Sequence, residues 1–95
     1  MTRVVVVPAA ADDLARMIVT HSLPQDTKER VKRSLRPLSD FPLLGAPLAG
    51  RWDEFRFILG PWRWMLILYV FDQEHDLVSV VGIQDGRTFR APSPS

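Results

Sequence analysis

Hydrophobic and polar positions divide the chain into blocks of different period. Four valines, Val4 to Val7, follow Arg3 and stop at Pro8. That is the length and β-branching of a short buried strand. From Ala9 the period lengthens: Leu14, Met17, Ile18 and His21 recur at i, i+3, i+4 and i+7, behind an alanine-rich start with Asp12 and Asp13 in its first turns. The spacing predicts an amphipathic helix, with His21 on or beside its apolar stripe, where a histidine caps or packs more often than it binds metal. Ser22-Leu23-Pro24 breaks this helix, and Pro24 suits the first position of the next. There Val31 and Leu35 lie opposite Asp26, Glu29, Arg33 and Arg36, so the second helix packs on one side only. Pro37 disfavours helical geometry at Arg36, which ends the regular helix near Leu35 and leaves Leu38 to pack from a turn.

The second half has strand character. Ser39 to Gly50 carries Pro42, Gly45, Pro47 and Gly50 among apolar residues, and reads as a connection that hugs the core. Phe55 to Phe71 consists of two aromatic-rich apolar runs joined at Gly60-Pro61, which predicts an antiparallel hairpin at the centre of the sheet. Asp72 to Asp76 is a polar turn, with His75 solvated, before a last strand from Leu77 to Ile83. The end of the chain, 86–95, finishes Ala-Pro-Ser-Pro-Ser and reads as a frayed tail. The order β-α-α-β-β-β predicts an α+β fold in one domain over 1–95, with a helical hairpin on one sheet face and the other face left for function.

Alternation assigns the faces. Phe55, Phe57 and Leu59 share one side of their strand, and Arg56 and Ile58 the other; Arg63, Met65, Ile67, Tyr69 and Phe71 oppose Trp64, Leu66, Leu68 and Val70. The set Phe55, Phe57, Trp64 and Leu66 is the better core, which directs Arg56 and Arg63 away from the helices. Met65, Ile67 and Tyr69 would then form an open apolar surface, covered by a partner or by a second copy of the chain.

Composition narrows the chemistry. A hydrophobic content of 46% with 24% charged residues excludes a disordered chain, and 95 residues suffice for one core. The absence of cysteine removes disulfides, thiolate metal sites and thiol nucleophiles, and suits a cytoplasmic location. No apolar run approaches the roughly 20 residues of a membrane-crossing helix, and no signal peptide precedes the valine run, so no membrane is expected as a partner. Between Lys28 and Arg63 there are eight basic residues and four acidic ones, although the whole chain carries only +1. A positive middle suits an acidic partner, nucleic acid or protein. The serines lack a nucleophile elbow, the two histidines have no ligand spacing, and the glycines form no phosphate loop, so no metal or cofactor is expected. Arginine remains as the usable group, a clamp for phosphate; the alternative for Arg56 and Arg63 is structural pairing with Asp53, Glu54 or Asp72.

Leu23-Pro24 opening a second helix, Leu48-Ala49-Gly50, Phe55-Arg56, Gly60-Pro61-Trp62-Arg63 and Val80-Val81-Gly82 together resemble the RelE/ParE superfamily of toxins from bacterial type II toxin-antitoxin systems, over Val4 to Phe89. The resemblance implies a twisted antiparallel sheet with an N-terminal helical hairpin and a protein antitoxin as partner. It also implies one of two activities, ribosome-dependent mRNA cleavage without metal or cofactor, or inhibition of DNA gyrase. For the nuclease, Arg56 and Arg63 match two catalytic basic positions, and Arg51, Gln84 and Arg87 are the candidate substrate contacts. The sequence departs from that activity at three points: Ile58 replaces a second basic residue, Gln84 stands near a late arginine, and Phe89 stands where a tyrosine is expected. With no evident general acid or base, an enzyme is in question, whereas a gyrase poison needs no catalytic set. Met65, Ile67 and Tyr69 are the expected antitoxin contacts. A non-toxic binding module of the same fold, or a homodimeric structural protein, is the alternative to a toxin–antitoxin hetero-oligomer.

Overall fold

The structure, a computed structural model, describes residues 1–50 and 54–88. Its elements are β1 (Arg3–Val6), α1 (Pro8–Thr20), α2 (Thr27–Leu35), a single turn α3 (Pro37–Asp40), β2 (Ala46–Pro47), β3 (Phe55–Leu59), β4 (Met65–Asp72) and β5 (Leu77–Asp85). They build one five-stranded sheet in the order β1-β5-β4-β3-β2. The strands joined by short turns, β3 with β4 and β4 with β5, are antiparallel. β1 reaches β5 only after the whole of the intervening chain, and the two run parallel, Val4 opposite Val78 and Val6 opposite Val80. The first valine strand therefore lies beside the last strand, not beside the β3–β4 hairpin.

Pro8 terminates β1 and also opens α1, since at the first helical position its missing N–H leaves no intrahelical bond unmade. α1 buries Ala10, Leu14 and Met17. Pro24 does not begin α2. It forms the preceding turn, its carbonyl accepting from the N–H and, at 2.6 Å, from the hydroxyl of buried Thr27. α2 presents Val31 and Leu35 inward, and Leu38, on α3, is fully buried, as the spacing of the three predicts. These side chains close on Met65, Ile67 and Tyr69 of β4 and on Val78, Val80 and Ile83 of β5, so all three helices cover a single face. Each fully buried aliphatic side chain contributes about 1.5–3 kcal/mol relative to exposure.

The face assignment is thus the reverse of the expected one. Met65, Ile67 and Tyr69 have no exposed surface and form the floor of the core, whereas Leu66, Leu68 and Val70 are half-buried on the opposite face. Both sets are apolar, so alternation along β4 alone is indifferent; its neighbour decides. β5 carries Val78 and Val80 on one side and Ser79, opposite Val70, on the other, and the apolar side turns to the helices. Leu68 pairs with Gly82 and Tyr69 with Val80, which makes Val81 an extra residue on β5. This bulge shifts the alternation by one position, so that Ile83 rejoins Val78 and Val80 in the core.

Candidate functional site

β3 carries the reversal across to Arg56. Directly opposed residues share a face, and Arg56 opposes buried Tyr69 while Phe57 opposes Leu68. Arg56 therefore lies on the helix side of the sheet. Its Nη1 donates to the carbonyl of Gly45 at 2.7 Å and to that of Leu43 at 3.3 Å. The Gly45 N–H in turn donates to the Tyr69 hydroxyl at 2.8 Å. One peptide segment is held at its amide by Tyr69 and at its carbonyl by Arg56, which fastens the 41–46 connection over the far end of β4. Burial pushes the Tyr69 hydroxyl pKa up, opposed by the Gly45 N–H and the Arg56 charge. A glycine is required here, because a Cβ would stand 2.5 Å from the Phe57 carbonyl oxygen and 2.8 Å from the tyrosine ring. The expected outward phosphate clamp at Arg56 is instead a structural clamp on backbone carbonyls.

Arg63 is not on a strand. The hairpin closes with the Gly60 N–H on the Met65 carbonyl and the Met65 N–H on the Trp62 carbonyl, so Arg63 sits exposed in the loop that precedes β4. Among the described residues it has no hydrogen-bond or ion-pair partner, including Glu54 and Asp72, and it does not meet Arg56 on a common surface. Arg51, and with it Asp53 and Phe89, lies outside the described residues.

Beside that loop the structure assembles a corner the sequence does not announce. Trp62 stacks on Trp64 with ring centroids 5.9 Å apart, and Trp64 stacks on His21 at 5.0 Å. Arg30 of α2 lies over Trp62 at 5.6 Å, and Arg87 over Trp64 at 4.9 Å. Arg87 also grips Asp85 with two guanidinium nitrogens, at 3.0 and 2.8 Å, and His21 Nε2 lies 3.0 Å from the same carboxylate. The bonds from Arg87, then His21, hold the Asp85 carboxyl far below the usual carboxylate range, and Asp85 pushes Arg87 above the ordinary guanidinium value. Arg87, expected as a substrate contact, is thereby neutralised by a neighbour. The turn it occupies is fixed, since the Gly86 N–H donates to the Trp64 carbonyl and the Thr88 N–H to the Asp85 carbonyl. The frayed tail begins no earlier than 89, beyond the described residues. The other histidine behaves as expected: exposed His75 pairs with Asp72 in the polar turn at 2.8 Å.

The remaining face is apolar. Cross-strand rows Val5–Ser79–Val70–Phe55, Gly82–Leu68–Phe57–Ala46 and Gln84–Leu66–Leu59 run over it. Gln84, expected as a substrate contact, is here, half-buried opposite Leu66. Among the described strand residues of this face the one cation is Arg3, at the β1 margin, across Leu77 from Asp72. The expected open apolar surface consequently exists on the alternate set of residues, and the expected arginines are absent from it. Among the described residues, no helix is long and apolar enough to cross a membrane, and no three metal-ligating side chains converge.

The fold has clear counterparts. The chain is similar to a chain of the intact RelBE toxin–antitoxin complex of Escherichia coli, at 14% identity and TM-score 0.67, over 90% of this chain and 96% of that one. The isolated E. coli RelE toxin matches at 16% identity and TM-score 0.68, over 96% of this chain and 88% of that one. A chain of the Mycobacterium tuberculosis RelBE2 complex matches at 23% identity and TM-score 0.60, over 88% and 96%. Neither a scan against protein-family models nor a search of curated proteins gives a match. The architecture is the RelE fold.

Proposed function

We propose that this chain is the toxin of a toxin–antitoxin pair and that it acts by occupying a protein target, in the manner of a gyrase poison, not by cleaving RNA. The observation that carries this reading is the open sheet face. Phe55, Phe57, Leu66, Leu68 and Val70 offer apolar contact there, whereas RNA cleavage requires cations at a scissile phosphate. Arg56 is committed to two backbone carbonyls and Arg87 to Asp85, which leaves Arg63 as the free cation of the expected set among the described residues. The fold's occurrence in two toxin–antitoxin complexes supports an antitoxin as the neutralising partner. A flexible antitoxin that folds over the apolar face would block the surface the target needs.

The experiment is expression from a tight promoter, with and without the product of the neighbouring gene. Growth arrest relieved by that product is the expected result, with DNA breaks accumulating while mRNA stays intact. Leu68→Asp, which places a charge in the middle of the face, should abolish arrest in a protein that remains folded. Cleavage of mRNA within ribosomes would overturn the binding mechanism, and absence of arrest would leave a non-toxic binding module of the same fold.

A further inference from the structure

The sheet has a second surface suited to a partner, the outer edge of β1. The Arg3 N–H donates to the Asp76 carbonyl and the Val7 N–H to the Val80 carbonyl, both on the β5 side. By strand alternation the amides and carbonyls of Val4 and Val6 point outward, and among the described residues nothing accepts or donates there. Beyond them lies a groove of about 400 Å³, between β1 and the end of α2, with Val4, Val6 and Leu35 in its walls and Lys32 and Arg36 at its margin. It continues through Val6 and Leu35 into a cleft of about 210 Å³ that reaches Lys28. Lys28, Lys32 and Arg36 recur every four residues, one cation per turn along the side of α2 that borders the strand. Only Lys32 has an ionic neighbour, Glu29 at 3.8 Å, with both side chains about 70% exposed. An unpaired strand edge, an apolar floor and a parallel row of cations thus lie side by side.

We propose that this groove binds an extended acidic segment of another protein, which adds to the sheet as a strand beside β1. Its backbone would pair with the outward N–H and C=O groups of Val4 and Val6. Glutamates at alternate positions would lay their methylenes across Val6 and Leu35 and bring their carboxylates to Lys32 and Arg36, while the intervening apolar residues would stand beside Val5 on the open face. Charge selects this occupant over a second copy of the chain: two copies joined edge to edge would bring the cation rows of both α2 helices together. The assignment does not depend on toxicity, since it concerns a different edge of the sheet and is read with purified protein.

The test is a titration of isotopically labelled full-length protein with a capped octapeptide of alternating glutamate and valine, followed by NMR. Saturable shifts centred on the Val4 and Val6 amides, slowed hydrogen exchange at both, and weakening by added salt are the expected results. A capped lysine–valine octapeptide should give no such shifts. The variant Lys32→Glu/Arg36→Glu, on an exposed helix face, should retain the thermal midpoint and bind roughly tenfold more weakly or worse. Shifts absent at millimolar peptide, shifts centred elsewhere, equal binding of the lysine peptide, or full affinity in the charge-reversed variant would each overturn the proposal. Concentration-dependent shifts at Val4 and Val6 without peptide would assign the edge to a second copy instead.

Discussion

Tyr69→Phe removes one oxygen from the clamp on Gly45, and its cost follows from the geometry. Phenylalanine retains the ring that fills the core, so no cavity opens and the apolar burial is unchanged. What is lost is the acceptor of the Gly45 N–H, which lies 2.8 Å from the hydroxyl in a fully buried position. A buried donor left unsatisfied costs about 1–3 kcal/mol. For a domain of this length each kcal/mol lowers the midpoint by about 4–8 °C, so a fall of roughly 5–20 °C is expected. Thermal and urea denaturation followed by circular dichroism would measure it, with an unchanged urea slope marking an effect on the native state. Arg56→Met should cost about 1–2 kcal/mol by releasing the carbonyl side of the same segment. Combined, the two changes should cost less than their sum, by about 0.5 kcal/mol or more, because a connection already released by one loses little from the other. A Tyr69→Phe midpoint within 2 °C of the parent, or strict additivity with Arg56→Met, would refute the clamp.

Three further outcomes are expected. Ile67→Asp places a carboxylate at a site without solvent contact and should abolish cooperative unfolding, whereas Leu68→Asp, one residue away on the half-buried face, should unfold cooperatively; matched denaturation curves for the pair decide between the two face assignments. Arg63→Ala should shift stability by less than about 0.5 kcal/mol, in contrast to Arg56→Met, and equal losses in calorimetry would show that Arg63 is also structural. Because the folded-state pKa of Asp85 is depressed, its contribution is present above the ordinary carboxylate value of 3.8 and is lost as pH falls below it. Asp85→Asn should therefore weaken the protein at neutral pH and flatten the acid limb of its stability curve, which midpoints recorded from pH 7 down to pH 2 would reveal.

The element order and the helical stripes were legible because their periods are unambiguous: Leu14 and Met17, Val31 and Leu35 have no competing apolar set on their own helices. β4 does have one. Met65, Ile67 and Tyr69 match Leu66, Leu68 and Val70 in hydrophobicity, and an argument from bulk ranked Phe55 and Phe57 above Ile58 as core. The deciding signal was in β5, where Ser79 marks the wetter side, and in Tyr69, the single tyrosine, whose hydroxyl needs a buried donor. The arginines followed the same error, since their orientation was inherited from the face. Gly45 and Asp85 leave no mark in a linear pattern: their partners are 24 and 64 residues away, at Tyr69 and His21. The parallel pairing of β1 with β5 was hidden for the same reason.

The extra residue in β5 has a consequence at the opposite end of the strand. Without Val81 the alternation would continue unbroken, Ile83 would turn outward, and Asp85 would face away from α1. With it, the Ile83 N–H meets the Asp13 carboxylate at 3.3 Å, and two residues later Asp85 meets His21. α1 thus takes the place of a neighbouring strand just where β1 has ended. A single inserted position acts as a phase setting for everything that follows it: it determines whether the chain's last turn closes on the helical layer or swings free beneath the sheet. Length changes in β5 are therefore tolerable in twos and disruptive in ones.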